Sequence, residues 1–161
     1  MKSFRLIALA AVLAVLSFNV SLAADAKPPG PDGVALWKYI TETDPYTEWG
    51  QWPDFKGIMK SRSPHGPNVR VFVNKIGLEM AGPPAPYGMI EVKEALSGKH
   101  KIKNITVQYK VAEGYNPKGG DWFWAKFSPE GRVDASGKVK GCIRCHRGKG
   151  DNDYITVHSF K

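Results

Sequence analysis

Between residues 68 and 127 the chain repeatedly alternates apolar and polar side chains with a period of two, a pattern that fits a half-buried strand and not a helix. NVRVFVN (68–74) puts Val69, Val71 and Val73 on one side of an extended backbone. GMIEVKE (88–94) puts Ile90 and Val92 on one side and Met89, Glu91 and Lys93 on the other. NITVQYKV (104–111) groups Ile105, Val107, Tyr109 and Val111, and DWFWAKF (121–127) is aromatic on both sides. The stretches AGPPAPYG, LSGKH, EGYNPKGG and SPEG supply turns between and after these runs, so the strands are expected to run antiparallel. DYITVH (153–158) is expected to add a last strand, and NKIGLEMA (74–81) a short helix between the first two.

Upstream the period is helical. Asp32 is placed to cap GVALWKYITE, whose apolar members are Val34, Leu36, Trp37 and Ile40. DPYTEWGQW is expected to open a second short helix, with Asp44 as cap and Pro45 in its first turn. The expected fold class is therefore α+β: a predominantly antiparallel sheet of about five strands, with N-terminal helices on one side.

The chain begins with Lys2 and Arg5, followed by an uninterrupted apolar run from Leu6 to Leu16 and small residues at Ser21–Ala26. This is the pattern of a secretory signal, too short in its apolar part to span a bilayer. Residues 1–23 are read as a signal peptide cleaved between 23 and 26, residues 24–33 as a linker, and 34–161 as a single domain. Export to the periplasm, with no membrane association after cleavage, is the expectation. Lys2 and Arg5 are only two of 23 basic residues set against 15 acidic ones, so the cleaved chain stays basic. The charge is dispersed and no nucleic-acid-binding motif accompanies it. A basic face can steer an acidic electron-transfer partner.

GCIRCHRGKG (141–150) holds the only two cysteines, Cys142 and Cys145, followed at once by His146. A disulfide between them would close a very short loop and constrain little. A redox pair of the thioredoxin kind belongs early in a βαβ unit, and zinc needs further ligands with matching spacing. The adjacent histidine points instead to covalent haem c attachment. The two thiols add to the porphyrin vinyl groups from one side of a short C-terminal helix, and the imidazole reaches the iron. No methionine follows His146, unlike in small helical electron carriers, and the strand-like runs do not fit an all-helical bundle. A histidine on one side and an open second side usually means ligand binding or chemistry. Met80 and His65 are the side chains that could close that second side. His65 in SPHGP reads more simply as a turn residue capping backbone. His100 reads as exposed, and His158 as a residue that could pack near the haem.

TEWGQWPDF, SPHGPNVRVFVN, PYGMIEVKE, ITVQYKV, GDWFWAKFSPEG and GCIRCH together resemble the cytochrome P-460 family, from about Trp37 to the C-terminus. The resemblance implies a secreted mono-haem protein, often a homodimer, with five-coordinate iron held by His146. It also implies that Lys93, in the G-x-x-x-V-K-E strand, is bonded through its amine to a meso carbon of the porphyrin, and that the protein oxidises hydroxylamine. Relatives termed cytochromes c′-beta lack that bond and bind nitric oxide and carbon monoxide, which leaves a gas-binding protein as one alternative and a six-coordinate electron carrier as another.

Lys93 lies on the strand side opposite Ile90 and Val92. If haem covers that side, desolvation would leave the amine neutral and nucleophilic. Oxidation of hydroxylamine also needs a proton acceptor, for which Glu91, Glu94 and Asp121 are candidates. Phe72 could shape the distal pocket, and Trp37, Trp49, Trp52, Trp122 and Trp124 read as core and pocket walls.

Overall fold

The computed structural model describes residues 27–160. The expected signal peptide and the first part of the linker lie outside the described residues. Helix α1 (Gly33–Lys38) starts where expected, with Asp32 Oδ1 accepting from the Ala35 N–H at 2.8 Å. It widens into a π turn over Tyr39–Thr43. The second expected helix is only a 3-10 turn at Tyr46–Glu48, with Pro45 and not Asp44 at its N-cap. The Asp44 carboxylate instead accepts from Trp49 Nε1 at 2.7 Å and Tyr39 Oη at 3.3 Å.

Six strands follow: β1 (Met59–Lys60), β2 (Asn68–Val73), β3 (Ile90–Leu96), β4 (Ile102–Lys110), β5 (Trp122–Phe127) and β6 (Val133–Gly137). They form one sheet in the order β1-β2-β3-β4-β5-β6, every pair antiparallel. A short helix α2 (Lys75–Leu78) joins β2 to β3 as expected. The α+β class is that of the sequence reading, with six strands where about five were expected. VDASG in β6 carries little apolar signal and owes its place to pairing with β5. DYITVH is not a strand. Asp153 and Tyr154 adopt left-handed backbone, φ 48° and 66°, which turns the chain and seats Ile155 in the core.

Register sorts the side chains into two faces, because residues directly opposite one another project the same way. One face carries Phe72, Ile90, Val92, Ile105, Val107, Tyr109 and Phe123, covered by Leu36 and Ile40 from the N-terminal helical segment and by Tyr46. The other carries Val71 opposite Lys93, Lys93 opposite Thr106, Glu91 opposite Gln108 and Gln108 opposite Trp124. That second face is covered by α3 (Lys140–His146), through Cys142 and Ile143, and by the C-terminal segment through Ile155. Helical segments thus lie on both sides of the sheet, where one side was expected.

Leu36 is fully buried between α1 and the first face. Leu36→Ala is expected to lower unfolding free energy by about 2–5 kcal/mol, the range for a leucine truncated in a closed core. Urea denaturation followed by tryptophan fluorescence measures it, and a loss under about 1 kcal/mol would mean that α1 is not packed as described.

Candidate functional site

The site forms where α3 crosses the second face. Cys142 and Cys145 are three residues apart and His146 is four beyond Cys142, so a helix brings all three to one side. Both cysteines are free thiols, Cys142 partly covered and Cys145 exposed. Burial pushes the Cys142 thiol pKa up. Cys142, Cys145 and His146 line a hollow of about 590 Å³, part of it open to solvent, together with Lys93, Glu91, His65, Thr106, Gln108 and Trp124. A second hollow shares His65, Lys93, Cys145 and His146 and is lined also by the 60–65 loop and by Thr156 and Val157.

His146 is buried, its ring 4.6 Å from that of Trp124. Its Nδ1–H donates to the Tyr154 carbonyl at 2.8 Å, which leaves the Nε2 lone pair for a metal. Burial first, then the Lys93 charge, pulls its pKa down to about 4 against the opposing effect of that hydrogen bond. The ring is therefore neutral at pH 7, the form that ligates iron.

Lys93 stands on the wall of the same hollow, 6% exposed. Among the described residues its amine makes no hydrogen bond or ion pair within 4 Å. Burial lowers its pKa, and the Glu91 charge pulls the other way. The amine is thus desolvated, on the face that α3 covers and opposite that of Ile90 and Val92.

Only one of the three candidate carboxylates reaches this place. Glu91, two residues before Lys93 on the same face, accepts from Trp52 Nε1 at 2.8 Å, and burial raises its pKa. Glu94 points to the opposite face and takes Tyr46 Oη at 3.0 Å and Arg70 Nε at 2.7 Å. Asp121 sits in a turn and accepts from the Asn116 and Gly114 N–H groups.

His65 differs from its reading as a backbone-capping turn residue. It enters both hollows, its ring centroid 6.5 Å from that of His146 and its Nδ1 3.4 Å from Thr106 Oγ1. The signal for this was its place in the turn that leads into β2, whose partner strand β3 carries Lys93. His158 stacks on Trp52 at 4.4 Å and bonds Asp54 at 2.6 Å, behind the indole that holds Glu91. His100 is exposed in the β3–β4 turn. Met80 packs with the Trp52 cluster but lines neither hollow. Phe72 lies on the opposite face against Tyr46 and cannot shape this pocket.

The residues fit the haem expected from C-x-x-C-H. Beyond the thiols and the imidazole, both amide atoms of Gln108 and the Trp124 indole N–H are buried and find no partner among the described residues. These residues lie on the walls of the hollow. Unpartnered buried polar atoms are uncommon and point to a missing polar group.

Burial pulls the His65 pKa down to about 4 as well, helped by the charge of Lys93. In an unfolded chain imidazole titrates near 6.5. Both folded histidines therefore lie below their unfolded value. Their stability contribution is complete above pH 6.5 and is lost as pH falls toward 4, because the unfolded chain takes up protons that the folded one refuses. In haem-free protein the loss is up to about 3 kcal/mol per ring. Urea midpoints at pH 7 and pH 4 measure it, and His65→Gln is expected to reduce the difference; an equal difference in both proteins contradicts the partly buried placement of His65.

The family model described as Cytochrome P460 matches residues 47–157, which takes in β1 through β6, α3 and every residue of the hollow. No individual curated protein matches the chain.

Proposed function

Because this chain belongs to the cytochrome P460 family and is therefore a haem cytochrome, we propose that it is an exported, periplasmic mono-haem protein that oxidises hydroxylamine. Cys142 and Cys145 would hold haem c through two thioethers, His146 would ligate the iron, and Lys93 would be bonded to the porphyrin edge. The haem, when bound, supplies an iron that takes up a small nitrogenous molecule and accepts its electrons.

The carrying observation is the Lys93 amine, desolvated and without a partner among the described residues, on the wall that the thiols and His146 also line. A neutral amine is the form that makes a covalent bond. Forming that bond removes one N–H and one C–H hydrogen, two electrons in all, so an oxidant of the peroxide class must accept them. Glu91 is the proposed proton acceptor during turnover. Its raised pKa brings it nearer the working pH, and the Trp52 indole fixes its orientation. Electrons would leave to a soluble acidic partner. Lys138, Lys140, Arg144, Arg147 and Lys149 are all exposed and lie within seven residues of the exposed Cys145 along the chain, and would steer such a partner. The proposed assembly is a homodimer.

Tryptic mapping and turnover test the reading together. The expected result is a haem peptide containing Cys142, Cys145 and Lys93, and reduction of an artificial electron acceptor by hydroxylamine. A haem peptide without Lys93, and no turnover, favours a nitric oxide-binding protein of the c′-beta kind.

A second reading rests on His65. Its ring lies close enough to that of His146 that one metal ion, with imidazole bonds of about 2 Å, could join them. A six-coordinate electron carrier would then result. Rapid carbon monoxide binding by the reduced protein and a high-spin spectrum reject it, and a low-spin spectrum that His65→Gln converts to high-spin supports it.

A further inference from the structure

We propose that Asp153 is a positioning residue that sets the strength of the hydrogen bond on His146, acting through the carbonyl of its neighbour Tyr154. The inference rests on His146 being the iron ligand, as argued above. His146 Nδ1–H donates to Tyr154 O at 2.8 Å, and the direction of a backbone carbonyl is decided by the turn that carries it. Here that turn consists of two consecutive non-glycine residues in left-handed conformation, Asp153 at φ 48° and Tyr154 at φ 66°. Such residues are rare outside glycine and persist where their surroundings hold them.

The surroundings are specific. Asp153 Oδ2 accepts from Lys110 Nζ at 2.6 Å and from the Ala85 N–H at 2.7 Å. Trp122 Nε1 donates to Asp153 O at 3.0 Å and to Oδ1 at 3.3 Å. Lys110 and Trp122 are directly opposite each other on β4 and β5, and the Lys110 Nζ lies 5.2 Å from the centre of the Trp122 ring. Asp153 is therefore bolted to two central strands and to the β2–β3 connection, and the Tyr154 carbonyl inherits that rigidity. Both charges are buried, at 6% and 10% side-chain exposure, so the pair is shielded from solvent screening.

The chemical consequence follows from what a carbonyl does to a ligating imidazole. A well-aligned acceptor at Nδ1 makes the ring a stronger donor to iron, which strengthens the axial bond and favours the oxidised metal. Main-chain oxygens cannot be deleted by substitution, so Asp153 is the residue through which this bond can be altered.

The test uses haem-loaded protein carrying Asp153→Asn, which keeps the shape and removes the charge. In the ferrous carbon monoxide adduct, which is diamagnetic, exchange of the His146 Nδ1 proton with solvent is expected to quicken roughly tenfold, as for loss of one ordinary hydrogen bond. The iron–histidine stretching frequency of the five-coordinate ferrous protein should fall, and the midpoint potential should rise. If Asp153→Asn does not fold, Lys110→Gln, which leaves the Ala85 and Trp122 contacts in place, should give smaller shifts of the same sign. Unchanged proton exchange, stretch and potential in a folded, fully loaded variant overturn the proposal. Failure of the haem reading looks different: wild-type protein from an export-competent host is then colourless. In that case the Nδ1 proton of the haem-free chain reports on the clamp alone, and equal exchange in wild type and variant overturns it.

Discussion

Lys93→Met is expected to abolish the haem peptide that contains residue 93, give an absorption band at an ordinary c-type position in place of the red-shifted one expected of the lysine-bonded haem, and lower hydroxylamine turnover at least a hundredfold. The physical basis is the state of the amine. It is desolvated on the second face, opposite Val71 and Thr106, and among the described residues no acceptor satisfies it. Methionine is similarly long and flexible and fills the same space without the nucleophile. Because a buried polar group without a partner destabilises a fold by about 1–3 kcal/mol, the haem-free variant should be as stable as wild type or more so. This separates loss of chemistry from loss of structure. The haem should remain attached through Cys142 and Cys145. If Lys93→Met keeps the wild-type spectrum and rate, the amine takes no part, and the gas-binding or electron-carrying readings replace the enzymatic one.

Replacing Cys142 and Cys145 together by serine should have the largest effect on cofactor content. Haem in the wild-type protein is expected to resist extraction with acidified organic solvent. In the double variant more than nine-tenths should be extracted, unless the Lys93 bond forms independently of the thioethers. His146 alone offers one coordinate bond, and its neutral ring is open to protonation as the pH falls toward 4. Serine is close to isosteric with cysteine, and α3 needs neither sulfur for its backbone bonds, so circular dichroism should change little. Retention of non-extractable haem in the double variant, with no Lys93 peptide, would contradict c-type attachment.

Not every part of this site was equally legible. The alternation in GMIEVKE already separated Lys93 and Glu91 from Ile90 and Val92, and β3 keeps that separation. The same parity argument could have excluded Glu94, which shares the side of Val92, but without knowing which face the haem-bearing helix covers it decided nothing. His65 was underrated because a turn histidine is usually solvated. Its contact with Thr106 spans 41 residues and depends on the 60–65 loop folding back over the sheet. DYITVH failed as a strand because its apolar alternation serves to dock Ile155 on the second face, and the left-handed pair at Asp153 and Tyr154 leaves no local trace in composition.

By itself, the sequence determined which side chains share a strand face, where turns interrupt them, and that two thiols and an imidazole stand together on one helical turn. These are properties of backbone periodicity, and they act over a few residues. Only the tertiary structure decided that α3 lies on the Lys93 face, that Glu91 and not Glu94 joins it, and that the Tyr154 carbonyl meets His146. Those outcomes depend on burying two different apolar surfaces of one sheet, the first under the N-terminal helical segment and the second under the C-terminal one. Such a choice is settled by long-range packing, which no local pattern encodes.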